Sequence, residues 1–274
     1  MQPWRHSPRD AIVVLLALAL GLAAPVLPWL SGQGLWGVSL APCLFGLVVW
    51  WTSNTLAHIH LHTPVFRARA ANHAFSLGLT LLTGIPQAVW RARHLCHHRG
   101  DPPRIGRLGA QGLLELAALV HLWLALLALA PAFLALVYVP GLLLGLGLCA
   151  LQGRGEHLDG HAGGICHRGA VHNLLWLNDG YHAEHHRWPG AHWTQLPRRR
   201  LPGAACSRWV PVLRAVVPRA LRKIHQGPPA GHDDDPPAGH DDDPPAGPVA
   251  PPAGHDDDPP AGPVAPPADP GPDR

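Results

Sequence analysis

Four apolar runs, each long enough to cross a bilayer, set the rhythm of this chain. Residues 11–30 and 35–51 are separated by little more than Ser-Gly-Gln-Gly, and 112–130 and 132–152 meet near Ala130-Pro131. A hydrocarbon core of ~30 Å takes roughly 20 helical residues, so each pair predicts a transmembrane hairpin. Pro25, Pro42 and Pro140 fall inside these runs. A bundle tolerates them because neighbouring helices re-satisfy the freed backbone groups. A shorter apolar stretch, 75–90 (FSLGLTLLTGIPQAVW), contains Gly84 and Pro86 and reads as interfacial or re-entrant. The N-terminal run resembles a secretory signal in outline. It is too long for a signal core and a second run follows at once, so a retained anchor is expected.

Charge then orients the hairpins. The turns at 31–34 and around 131 carry no charge. Arg5, Arg9, Arg67, Arg69, Arg91, Arg93, Arg99, Arg104, Arg107 and Arg154 all lie on the opposite side. The positive-inside rule makes that side cytoplasmic, with both termini. The expectation is a multi-pass protein of a bacterial inner membrane. Residues 1–226 hold 20 basic against 7 acidic residues, a net of +13, while 227–274 hold eleven acidic residues and one arginine. Arginines flanking apolar runs point to a membrane surface and not to nucleic acid.

Three segments follow: an N-terminal cytoplasmic piece, 1–10; a membrane domain, 11–226; and a tail, 227–274. The tail repeats PPAGHDDD and PPAGPVA. Proline and like-charge blocks deny it a packed core, so disorder is expected. Its GHDDD units (His232, His240, His255) could hold a metal loosely and receive no catalytic role. The five cysteines form no CxxC pair, which argues against a zinc finger or a disulfide framework.

The remaining eighteen histidines are clustered. In NTLAHIHLH, His58 and His62 share one helical face at i, i+4, and His60 turns away. If the helix from Leu35 runs unbroken, His58 lies about 35 Å from its start, just beyond the apolar slab. HLCHH (His94, His97, His98) and HAEHH (His182, His185, His186) each set three imidazoles at i, i+3 and i+4, predicted to line one face. HLDGH adds His157 and His161 after the last apolar run. Repetition of the pattern on one side of the membrane argues against accident, and neutral imidazole is the commonest biological metal ligand. Nine or ten imidazoles exceed one coordination sphere, so two metals are implied. Nitrogen ligation alone leaves Zn, Cu, Fe and Ni open.

The other histidines read as bland: His6, His73, His192 and His225 on the surface, His167 and His172 in loops. His121, in mid-span, is expected to face the bundle near a substrate path. A membrane metallohydrolase would need fewer histidines and shows no HExxH here. A metal-handling protein would line a membrane path with its ligands, whereas these clusters lie outside the slab.

These boxes, in this order and interleaved with two membrane hairpins, resemble the membrane fatty acid desaturase and hydroxylase superfamily over roughly residues 10–200. NDGYHAEHHRWPGAHWTQLP looks like the family's usual C-terminal stretch. The resemblance implies an all-α integral membrane protein, with four transmembrane helices in two hairpins under a cytoplasmic histidine-rich cap. It implies a di-iron centre that activates O₂ as co-substrate. His58, His62, His94, His97, His98, His182, His185 and His186 would be iron ligands. His161 would match an additional family ligand, and His157 falls where some members have a water-bridging asparagine. Glu156, Asp159 and Glu184 could orient imidazoles, since ligating histidines donate their other N–H. The expected activity is desaturation of a lipid acyl chain, with hydroxylation or ketolation of a lipid or carotenoid/isoprenoid as the alternative. With no HPGG segment, electrons would come from a separate donor such as a ferredoxin or rubredoxin.

Overall fold

The computed structural model describes residues 2–102, 104, 106–161 and 163–226. The repeat tail and its three histidines lie outside the described residues. Among the described residues, four helices are long and apolar enough to cross a membrane: α1 (Asp10–Ser31), α2 (Gly34–His62), α5 (Ala110–Leu129) and α6 (Pro131–Glu156). Large apolar side chains such as Leu18, Leu22, Leu47, Leu113, Leu124 and Leu143 stand exposed on them. An aqueous surface would not sustain such a belt, and lipid would. The chain is an integral membrane protein.

Each hairpin turns where the sequence supplies the stop. In the first, α1 ends at Gly32, and Gly34 at φ +79° opens α2. In the second, Ala130 caps the turn and Pro131 starts α6, where its missing N–H goes unneeded. A turn at Ala24-Pro25 interrupts α1 without ending it.

The tightest pairing joins α2 to α6. A Cβ on Gly145 would lie 2.6 Å from Val49 Cβ and 2.9 Å from Gly46 O, and one on Gly46 would lie 3.0 Å from Gly141 O. Small residues let the two backbones approach, and packing rather than water drives such contacts in lipid. Phe45, Val49 and Tyr138 fill the seam. Both helices contain a π-helical turn, Ser53–Ala57 in α2 and Leu134–Tyr138 in α6.

The 75–90 stretch, expected to be interfacial or re-entrant, is divided between two helices. α3 (Arg69–Thr83) stops at Gly84, which is left-handed at φ +71°, and α4 begins after extended Pro86 as Gln87–Arg99. A left-handed glycine followed shortly by proline is a strong helix break, so HLCHH gains a helix of its own. Fully buried Glu115 of α5 ties the junction together. It accepts from Ser76 Oγ at 2.6 Å, Gln111 Nε2 at 2.9 Å and the Ala88 N–H at 2.8 Å.

Past α6 the chain forms α7 (Ala170–Leu175), α8 (His182–Arg187) and α9 (Pro211–Val216). A two-stranded antiparallel ladder, β1 (Ala205–Cys206) with β2 (His225–Gln226), is a small addition to the helices of the described residues. Three histidines depart from expectation. His121 is exposed instead of bundle-facing, and its Nδ1 lies 2.7 Å from Ala117 O of its own helix. That local bond satisfies the ring without a partner in the bundle. His192 is buried, not superficial, with Nε2 2.8 Å from Asp10 Oδ1. His172 is a buried residue of α7 and not a loop residue.

Candidate metal centre

α2 delivers His58 and His62, and the residue that follows α6, His157, joins them at one end of the bundle, where α4 and α8 bring the two HxxHH boxes. α4 can end sharply there because Gly100 is left-handed at φ +70°. Its N–H donates to His97 O at 3.0 Å, and the Asp101 N–H donates to Cys96 O at 2.9 Å. The turn after α6 is fixed by Arg214, fully buried, which donates to Gly155 O at 3.0 Å, Ile165 O at 2.9 Å and Trp209 O at 2.9 Å.

Two imidazole groups result. His58, His62, His94, His98 and His185 offer ligand atoms within 4.8 Å of one another, and so do His97, His157, His182 and His186. Each box is therefore divided between the groups instead of forming the three-pronged claw its spacing suggested. His94 and His98 join the first group and His97 the second; His182 and His186 join the second and His185 the first. Residues at i+3 and i+4 point about 100° apart around a helix, so two groups seated side by side can each take one direction.

In the first group four Nε2 atoms close a ring. His58–His94 is 3.0 Å, His94–His98 2.9 Å, His98–His185 3.0 Å and His185–His58 3.0 Å. An imidazole nitrogen carries either one N–H or one lone pair, so none can bond both its neighbours. Hydrogen bonding therefore does not account for the ring. A square with edges of ~3 Å has its centre ~2.1 Å from each corner, the length of an imidazole–metal bond. His62 Nε2 is buried beside this ring without a hydrogen-bond partner. The second group repeats the logic. His157 Nε2 lies 2.9 Å from His97 Nε2 and 3.0 Å from His182 Nε2, and His186 Nε2 is buried and unpartnered. The donors fit two metal ions.

Electrostatics favour the ligand form. Burial, reinforced by the neighbouring imidazoles, holds His94, His182 and His185 well below the ordinary value of 6.5. The same causes push His98 down to about 3 and His186 to about 2. Neutral rings are what a metal binds.

The surrounding contacts reassign the acids. Asp179 Oδ1 sits 3.2 Å from His58 Nδ1, and its Oδ2 accepts from Gln152 Nε2 at 2.9 Å. Gln152 Nε2 also donates to Glu156 Oε1 at 3.0 Å, while Gln152 Oε1 accepts from Trp50 Nε1 at 2.7 Å. Glu156 Oε2 lies 3.7 Å from His182 Nε2, on the ligand side of that ring. Glu184 orients no imidazole. Fully buried, it pairs with Arg168 and accepts from the Leu201 N–H at 2.9 Å and Cys166 Sγ at 3.0 Å, which anchors α8 from behind. The Asp159 side chain lies outside the described residues, and His161 lies outside both groups. Sequence reasoning passed over Asp179 and Gln152. Asp179 was within reach, three residues before His182 in NDGYHAEHH.

The family model for fatty acid desaturases matches residues 101–205, a stretch that holds His157 and the last box but neither of the first two. No curated protein and no solved structure matches the chain. The matched segment and the earlier boxes converge on two adjoining imidazole groups, and over residues 101–205 the chain is similar to the fatty acid desaturase family, an enzyme family of di-iron oxidoreductases.

Proposed function

We propose that the chain desaturates a lipid acyl chain, using O₂ and two electrons from a separate carrier. The observation that carries this reading is the pair of imidazole groups, five and four histidines, side by side at the ends of membrane helices. His58, His62, His94, His98 and His185 would hold one iron, and His97, His157, His182 and His186 the other. Such an iron pair supplies the oxidising power to break an unactivated C–H bond. The chain's own part is positioning: Asp179 holds the His58 ring by Nδ1, so that Nε2 faces the group. A cleft of about 30 Å³ between His58, His62, His185, Trp176 and Trp193 leaves room beside the first group.

The cap bears Arg93, Arg99 and Arg187 exposed on the two box helices. Uncharged hairpin turns at the far end support a cytoplasmic cap, and those arginines suit an acidic electron carrier of the ferredoxin or rubredoxin type.

Metal analysis of the detergent-purified chain, with lipid profiling of an expressing host, tests the reading. About two irons per chain and products lighter by two hydrogens support it. Products heavier by oxygen would assign the chain to hydroxylation or ketolation. Stoichiometric zinc in protein that turns over would overturn the iron assignment.

A further inference from the structure

Beside the metal centre lies a second, larger space. A cavity of about 380 Å³ opens between the ends of α2 and α6 and the short helices α7 and α9, within the ordinary range for ligand sites. Its walls are mainly apolar, from Trp50, Val171, Leu175, Trp176 and Val212. Trp176 also lines the small cleft at His58 and His185, so the two spaces share its indole as a wall.

Three features specify an occupant. First, the helices framing the mouth expose apolar side chains although they lie outside the spans. Val171 is 71% exposed, Leu174 75%, Leu175 52% and Val216 61%. Short helices with such faces sit in the bilayer interface, so the mouth meets lipid and not water. Second, among the described residues the lining contains no Lys, Arg, Asp or Glu. A carboxylate or phosphate drawn inside would meet no counter-charge, which a buried anion requires. Third, one polar atom awaits a partner. His172, 93% buried, lines the cavity with Nε2 unbonded. Its ring is fixed by stacking on Trp176, centroids 4.8 Å apart and planes 11° from parallel, and by the edge of His167 at 4.9 Å.

We propose that this cavity admits an uncharged lipid laterally from the bilayer, and that His172 Nε2 hydrogen-bonds a carbonyl or hydroxyl oxygen of that lipid. The proposal rests on the reading of the chain as a lipid-acting oxidoreductase. Depending on tautomer, Nε2 donates to a carbonyl or accepts from a hydroxyl. Burial lowers the imidazole to about 4, against the opposing pull of Asp179, so the ring is neutral at working pH and suits a neutral oxygen. The apolar remainder of the lipid would lie along Trp50 and Trp176, toward the imidazole groups. His172 is a specificity-determining residue on this account.

The test is photolabelling of the full chain in phospholipid vesicles, without turnover, at sub-saturating probe and alkaline pH. Diazirine-bearing probes of equal length would carry a methyl ester, a hydroxyl, a carboxylate or no oxygen. The expected result is adducts on the 169–176 and 209–213 segments, with ester or alcohol labelling roughly fivefold above the alkane, the worth of one buried hydrogen bond. His172→Leu should erase that preference and His172→Gln partly restore it. Val212→Trp should block labelling by every probe. Equal labelling by carboxylate and ester, or labelling unaffected by Val212→Trp, would overturn the proposal. Because labelling needs no iron, adducts in a chain lacking iron would sink the oxidoreductase reading alone. Iron-loaded, active protein without adducts would sink the cavity assignment alone.

Discussion

Asp179 and His58 stand 121 positions apart, yet a carboxylate oxygen meets the imidazole Nδ1 at 3.2 Å, and Gln152 secures the other oxygen. Replacing this acid should loosen a ring that coordinates nothing through that nitrogen. Asp179→Asn is expected to reduce iron retention or turnover by about 10- to 100-fold, as such outer contacts do elsewhere. Competition with a calibrated chelator measures it; retention equal to the parent's would show the pair to be incidental.

Division of each box between two groups makes neighbours in sequence separable in function. His98→Ala should empty the five-imidazole site while leaving about one metal equivalent in the other. His97→Ala, with a smaller donor set to lose from, should do the reverse. Product formation should stop in both, with the membrane helices intact by circular dichroism. If both variants lose both metals together, the groups act as one unit.

Acid should strip the centre. The ordinary value of 6.5 applies to the unfolded imidazoles, while in the fold His98 stands at about 3 and His186 at about 2. Between those values the unfolded chain binds more protons than the folded one, so stability rises with pH across that window. The metal-free cap is fully stable above 6.5 and loses stability as pH falls toward 3. Protons also compete with metal for the same nitrogens. Iron release should follow the same descent, and a metal content unchanged down to pH 4 would contradict it.

Arg168 holds Glu184 behind the last box, and the acid is fully buried while the arginine keeps 24% of its side chain exposed. Arg168→Ala should destabilise the fold by roughly 3 kcal/mol, the low end for breaking a buried pair, given that partial exposure. Thermal unfolding in detergent reads this directly. A midpoint equal to the parent's would mean that the Leu201 N–H and Cys166 suffice to hold the carboxylate.

At the α2–α6 seam, Gly145→Val would press a branched side chain into Val49 and the Gly46 carbonyl. Overpacking costs about 1–3 kcal/mol, and here it would also tilt the helix that carries His157. Lower thermal stability with reduced second-site iron is the expected pair of outcomes.

The spans and the three boxes were legible because each is written in local sequence: apolar length for the helices, i, i+4 spacing for the ligands. The helix ends sit within about four residues of those read from composition, except that α2 runs eleven residues past its apolar stretch, to His62. What local sequence withheld was partnership. His192 looked like a surface residue because Asp10, which buries it, is 182 positions away. Glu184 looked like an imidazole partner by adjacency, but its carboxylate faces Arg168 on the other side of the helix. The 75–90 stretch was read as interfacial or re-entrant with Gly84 and Pro86 inside it, and those two residues are where it divides between α3 and α4. HLDGH offered both His157 and His161; His157 falls in the second imidazole group and His161 lies outside both.

The π turn at Ser53–Ala57 gives α2 a change of phase. Each residue advances an α-helix by about 100°, so the extra residue in a π turn re-aims everything beyond it by about that angle. Upstream, the helix face is chosen by lipid and by the glycines of α6; downstream, it is chosen by His58 and His62. The two demands need not share one helical register because the turn uncouples them. The same sequence wound as an unbroken α-helix would thread the same span, yet its two histidines would point a quarter-turn aside, leaving the four-nitrogen ring without His58.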